Sequence, residues 1–330
     1  MYKSITLQLN TQCSLKCPYC FAPKFSQQFI SHKNFEYFCA FCRKAKPDNI
    51  HLTGGEPSMH PFFSKIVNHL LYISPVTVYS NLTIPDTWNH IIKSELENLT
   101  ILVNLNNRIY YSDVQWKTFN DNLKILSKSK CRLAVSHTFF CDRFESTFDG
   151  IFNFIHTHNI SNLRISQYVD NRTDMAGLNI NQVRNLYDHI AKNIDVWQQQ
   201  GLNIFFDCAV PPCYLEHNVF TKLYDLGVLG TMCCPKAFVL WDLSVTHCYT
   251  TIDETPRKYL TEFTSIEDIV SNSKKILNDK FKFKDKSFCD SCAVKNSFCN
   301  CPDYHLLNEK RTPEKSIIHT LHSNDTLVRY

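Results

Sequence analysis

Glycine is scarce in this chain, with seven among 330 residues. So low a content excludes a glycine-periodic fibre and leaves few positions where backbone can approach backbone or ligand without a side chain between them. The adjacent pair Gly54-Gly55 therefore stands out. Net charge is equally sparse: 35 Lys and Arg against 31 Asp and Glu leave +4. No basic stripe concentrates it, which argues against a nucleic-acid partner. No run reaches the roughly 18 apolar residues of a membrane span, and Met1-Tyr2-Lys3-Ser4-Ile5 lacks the apolar stretch of a secretion signal. No repeat or low-complexity tract is evident. The expectation is a cytoplasmic chain that engages neither membrane nor nucleic acid.

Cysteine is abundant by contrast, at sixteen. In a reducing compartment that number points to metal sites or redox chemistry rather than disulfides. Cys13, Cys17 and Cys20 fall in Thr11-Gln12-Cys13-Ser14-Leu15-Lys16-Cys17-Pro18-Tyr19-Cys20, a C-x3-C-x2-C spacing. Three thiolates on so short a loop can hold three irons of a [4Fe–4S] cube and leave the fourth iron open to a chelating small molecule. The spacing departs from the C-x2-C pairs of structural zinc; a zinc knuckle or unligated thiols are the alternative. A second segment, Ile50-His51-Leu52-Thr53-Gly54-Gly55-Glu56-Pro57, reads as a short buried strand ending in paired glycines. A third, Val76-Thr77-Val78-Tyr79-Ser80-Asn81, is a strand ending in two polar residues.

Together these segments resemble the radical S-adenosylmethionine (SAM) enzymes, whose cluster loop follows the first strand and carries an aromatic before its third cysteine, here Tyr19. The resemblance implies that Cys13, Cys17 and Cys20 bind a [4Fe–4S] cluster and that Gly54, Gly55 and Glu56 lie where the methionine amine of SAM binds. Ser80 and Asn81 correspond to the strand end that contacts its ribose or carboxylate. Asn104, Ser136 and Gln167 end later strands and are further candidates for SAM contact, with plain strand-end hydrogen bonding as the alternative.

The fold expectation is α/β. Candidate strands are 5–10, 50–53, 76–80, 100–105, 132–137, 163–168 and 202–207. Helical periodicity joins Phe35, Phe38, Cys39 and Cys42; Phe62, Phe63, Ile66, Val67, Leu70 and Leu71 behind Pro61; and Val183, Leu186, Tyr187, Ile190, Ile194 and Trp197. Strand alternating with helix implies a parallel sheet buried on both faces. Six such units precede Leu202, in keeping with the partial (β/α)6 TIM-like barrel that the resemblance implies. In parallel barrels the chemistry gathers at the C-terminal strand ends, where all three motifs fall. Residues 1–205 are the expected barrel, beginning too early for a leader-peptide-binding domain ahead of it. Cys39 and Cys42 share a helix face with two phenylalanines and read as core rather than a redox pair.

Cysteines return after the barrel: Cys208, Cys213, Cys234, Cys248, Cys289, Cys292, Cys299 and Cys301. Residues 206–330 resemble the SPASM or twitch extension of the same family, which implies one or two auxiliary [4Fe–4S] clusters. Cys234 and Cys248 would flank a hairpin of strands 238–240 and 245–247, with Leu243 where the family carries glycine. Cys234, Cys248, Cys289 and Cys292 suit one cluster, and Cys208, Cys213, Cys299 and Cys301 could supply another. The tail departs from the family's spacing, and a zinc ribbon is the alternative.

The resemblance further implies a 5'-deoxyadenosyl radical that abstracts hydrogen from a substrate C–H bond, and an electron donor such as flavodoxin or ferredoxin. The favoured substrate is a ribosomally made peptide receiving a crosslink, thioether or epimerisation, with a separate leader-peptide-binding protein as a further partner. Oxidation or rearrangement of a small metabolite such as a sugar or nucleoside is the alternative, and a non-catalytic zinc-binding interaction protein is the alternative of another class. No catalytic base or hydrogen donor is identified. Cys141, Asp207 and Asp242 are the candidates, each with a structural role as its alternative.

Overall fold

A computed structural model of the chain describes residues 3–20, 27–91, 96–140, 144–168, 178–207, 210, 214–229, 236–246 and 257–280. They divide into two compact units. The first comprises residues 1–136, 158–160 and 235–275, and the second residues 137–157, 161–234 and 276–330.

In the first unit the strands are β1 (Ser4–Gln8), β2 (Asn49–Thr53), β3 (Val76–Ser80), β4 (Leu99–Asn104), most of β5 (Arg132–Phe139), β8 (Ala237–Val239), β9 (Ser244–Thr246) and β10 (Lys258–Tyr259). Their order is β10-β9-β8-β1-β2-β3-β4-β5. Pairing is parallel from β8 through β5 and antiparallel from β8 to β10. β1 is central: Ile5 and Leu7 are fully buried on one side, and Thr6 and Gln8 are buried on the other. A strand covered on both faces needs helices above and below it, as parallel α/β sheets provide.

Helix α1 (His32–Ala45) begins at Ser31, whose hydroxyl accepts the Asn34 N–H, and ends at Lys46 in a left-handed conformation. Phe38, Cys39 and Cys42 are fully buried on its inner face, so this C-x2-C pair is core. Helix α2 spans Phe63–Leu71. Pro61 lies two residues ahead of it, and the His60 carbonyl and ring accept the Phe63 and Phe62 N–H groups. Between β3 and β4 the described residues form short 3₁₀ turns around the fully buried Trp88. Helix α3 (Asp113–Ser127) opens with a capping box between Ser112 and Gln115.

In the second unit, β6 (Asn162–Gln167) pairs in parallel with β7 (Asn203–Phe206). The Tyr168 N–H donates to the Phe139 carbonyl at the end of β5. Helices α4 (Phe144–Thr157), α5 (Ile180–Gln199) and α6 (His217–Asp225) accompany these strands. All six apolar residues expected on the inner face of α5 are buried. Helix α7 (Ile266–Lys280), which belongs to the first unit as far as residue 275, is the last described element. The mostly parallel α/β arrangement agrees with the α/β expectation from the sequence.

The hairpin β8–β9 lies one residue earlier than the sequence suggests. Leu243 takes a positive φ of 66° at its turn, the conformation for which glycine is the usual choice. Asp242 supports that turn, its Oδ1 accepting from the Ser244 N–H at 2.9 Å and hydroxyl at 2.5 Å.

Candidate functional site

The loop after β1 is fastened by backbone before any side chain acts. Gly55 N–H donates to the Asn10 carbonyl at 3.0 Å and Glu56 N–H to the Gln12 carbonyl at 2.6 Å. On the other side, Thr11 N–H reaches the Gln28 carbonyl at 3.0 Å. Both glycines are required by this seam. A Cβ on Gly55 would sit 2.1 Å from the Gln12 carbonyl oxygen, and one on Gly54 would sit 2.2 Å from Asn10 Oδ1. Neither has a positive φ, so the requirement is close approach rather than unusual backbone.

Glu56 is buried and ties two strand ends together. Its Oε1 accepts from the Ser58 N–H (3.1 Å), the Ser58 hydroxyl (2.6 Å) and the Ser80 hydroxyl (2.8 Å), while Oε2 accepts from the Asn81 N–H at 2.7 Å. Burial pushes its carboxyl above the usual range, and these donors pull it back. Glu56 thereby sets Ser80 and Asn81 at the end of β3. Asn81 in turn reaches the cysteine loop, with Nδ2 3.6 Å from Cys13 Sγ and 3.2 Å from the Ser14 hydroxyl. Ser14 also meets the Thr83 hydroxyl at 2.5 Å.

A second amide comes from beyond β4. Asn106 Nδ2 lies 3.6 Å from Cys17 Sγ, and its Oδ1 accepts from the hydroxyl of buried Tyr19. That hydroxyl also lies 3.4 Å from Asn104 Oδ1. From α3, Gln115 Nε2 donates to the Ser14 carbonyl at 2.7 Å. Ser136 pairs with Asn104 across β4 and β5, and its carbonyl accepts the Leu105 N–H at 2.9 Å. Thus Cys13, Cys17, Tyr19, Gly54, Gly55, Glu56, Ser80, Asn81, Asn104 and Ser136 all lie at or just beyond C-terminal strand ends of the first unit. Cys20 shares the loop, its N–H donating to the Cys17 carbonyl at 3.1 Å.

Asn106, Ser14 and Gln115 were not singled out by the sequence. Asn106 had a readable signal: it stands two residues after Asn104, on the same side of an extended segment. Gln115 had none beyond its helix cap.

The donor set suits an iron–sulfur cluster. Cys13 and Cys20 are exposed and Cys17 is half-buried, all as free thiols. Desolvation holds the free thiols of Cys13 at about 12 and Cys17 at about 11, so a cationic metal must displace their protons. Among the described residues no three His, Cys, Asp or Glu side chains converge as on a single metal ion. Three thiols on one loop, with amide N–H groups directed at two of them, are instead the ligands and outer contacts that a cube takes.

In the second unit, Gln167 ends β6 with both side-chain polar atoms buried and unpartnered. Asp207 follows β7 and is ion-paired with Arg164. Asp242, in the first unit, caps the hairpin turn and lies 3.9 Å from Arg257. Cys141, Cys208, Cys213, Cys234, Cys248, Cys289, Cys292, Cys299 and Cys301 lie outside the described residues. A separate cavity of about 530 Å3 beside α1 and α2, walled by Phe29, Phe35, Phe62 and Ile66, contains none of the candidate catalytic, cofactor-binding or metal-ligating residues.

Residues 7–130 match the family described as the Radical SAM superfamily. This stretch is a radical SAM domain. It contains the cysteine loop, the glycine seam and both amides, so the chain carries the domain of a radical SAM enzyme, and that family's cofactors are a [4Fe–4S] cluster and SAM. No curated protein matches the sequence. Solved structures share its fold at low identity. Streptococcus suis SuiB bound to precursor peptide SuiA superposes with a TM-score of 0.66 at 15% identity, over 88% of this chain and 69% of that one. For anSMEcpe with bound AdoMet the TM-score is 0.66 at 14% identity, over 97% and 91% of the two chains. Native anSMEcpe with AdoMet and the Cp18Cys peptide gives 0.65 at 14%, over 97% and 94%.

Proposed function

We propose that this chain is a cytoplasmic radical SAM enzyme that modifies a peptide, with a barrel over residues 1–205 and an auxiliary-cluster region over residues 206–330. The observation that carries it is the cysteine loop, seated on Gly54-Gly55 and faced by Asn81 and Asn106 amides at two sulfurs. When bound, cluster and SAM supply one-electron cleavage chemistry that removes a hydrogen atom from a C–H bond. The protein's own part is to hold and to screen. Cys13, Cys17 and Cys20 would ligate the cluster. Glu56 sets the β3 end that would meet SAM, and Tyr19 keeps Asn106 oriented.

Peptide substrates are supported by relatives of the same fold whose structures contain SuiA and Cp18Cys. The C-terminal cysteines support auxiliary clusters, which favour net oxidation or bond formation over rearrangement. A reductant such as flavodoxin or ferredoxin would supply the electron, and a separate leader-peptide-binding protein would suit the same reading.

Anaerobic iron and sulfide counting, with assay of 5'-deoxyadenosine release, tests the proposal. The wild type should bind about eight or more irons, at four per cube, and release 5'-deoxyadenosine when SAM and reductant are supplied. Replacing Cys13, Cys17 and Cys20 together by alanine should abolish release while auxiliary iron remains. A colourless protein with stoichiometric zinc and no SAM dependence would instead establish a zinc-binding interaction protein. Turnover of a sugar or nucleoside but of no peptide from a neighbouring reading frame would move the substrate to small metabolites.

A further inference from the structure

We infer that Asn106, held by Tyr19, is a positioning residue that raises the reduction potential of the cluster through Cys17. The inference rests on the cluster proposed at Cys13, Cys17 and Cys20. Asn106 is 5% exposed, so its amide must find partners inside the protein. Its Oδ1 accepts from the Tyr19 hydroxyl, which settles the orientation of the amide and leaves Nδ2 as the group facing Cys17 Sγ at 3.6 Å. Its backbone N–H donates to the Tyr111 hydroxyl at 3.3 Å, and Tyr111 donates onward to the Asn104 carbonyl at 3.3 Å. Tyr111 is itself buried against Trp116 and Phe119. The donor is therefore fixed before any metal binds.

Such a donor discriminates between oxidation states. A reduced cluster carries one more negative charge, shared onto its cysteine sulfurs, so an N–H directed at one of those sulfurs stabilises the reduced form more than the oxidised form. Burial strengthens the contact because little water competes for the sulfur. Asn81 divides its amide between Cys13 and Ser14; the Asn106 side chain is supported by Tyr19, interacts with Tyr111 and directs Nδ2 at Cys17. Tyr19 acts through Asn106 and through its own contact with Cys17.

The test is a redox titration of the full-length, anaerobically reconstituted chain, following the reduced-cluster EPR signal that the Cys13→Ala/Cys17→Ala/Cys20→Ala variant lacks. Asn106→Leu keeps the size and removes the donor. It should bind the same iron as wild type and titrate at a more negative midpoint, by about a tenfold change in the reduction equilibrium, or about 59 mV for one electron. Tyr19→Phe frees the amide and also removes a hydroxyl that itself interacts with Cys17, so it should move the midpoint the same way. If Asn106→Leu titrates with the wild type, Asn106 does not tune the cluster and the inference is overturned. If Asn106→Leu loses iron, Asn106→Ala decides, and an unshifted midpoint there overturns it. A wild type without a signal dependent on the three cysteines overturns the proposed function itself.

Discussion

At the scale of single residues, two adjacent glycines do different amounts of work. The Cβ of an alanine at position 55 would meet backbone, the Gln12 carbonyl at 2.1 Å, whereas at position 54 its nearest neighbour is the Asn10 side-chain oxygen. A side chain can swing aside more readily than a hydrogen-bonded backbone. Gly55→Ala should therefore cost about 1–3 kcal/mol, as overpacking does, and release iron from the cysteine loop. Gly54→Ala should cost less and retain the iron. Urea unfolding with iron counting checks both, and equal losses would count against the seam. The pair was legible as special because glycine is rare in this chain, but its partner was not, since nothing local in 54–55 names residues 10–12.

Elements show the same division. The first turn of α3 serves two purposes: Ser112 accepts the Gln115 N–H, and Gln115 donates from its side chain to the Ser14 carbonyl. Ser112→Ala should cost about 1 kcal/mol, a typical loss of an N-cap, measured as a lower denaturant midpoint with the cysteine loop intact. Gln115→Ala should in addition raise hydrogen exchange at the loop, because it alone loses the tie to Ser14. Strand β3 spans the residues its alternation suggests, Val76–Ser80. The burial of Cys39 and Cys42 was likewise readable, since period and neighbours agree. The hairpin after Pro235 was readable as a hairpin. That its first strand pairs with β1, more than 220 residues earlier in the chain, was not.

For the whole molecule, pH should act through histidines kept neutral by burial. His60, His158 and His189 are all held below the usual histidine range, chiefly by desolvation. An unfolded chain protonates these rings near pH 6.5, while the folded chain resists. The unfolded state then binds more protons, so stability falls as pH drops below about 6.5 and is recovered above it. Urea midpoints at pH 5.5 and 7.5 should show this slope, and His60→Gln should flatten it. An unchanged slope in that variant would remove His60 from the account.

What the sequence determined by itself was chemical and local: which thiols lie close along the chain, which strands alternate, which helix faces are apolar, and where glycine replaces a side chain. Those are properties of neighbours, carried by spacing. Tertiary structure alone decided which amide faces which sulfur, that the Glu56 carboxylate is directed at Ser58, Ser80 and Asn81, and that β8 lies beside β1. Each of these joins atoms far apart in the chain whose meeting depends on sheet order and register, and hydrogen bonds of that reach leave no pattern in the residues that make them.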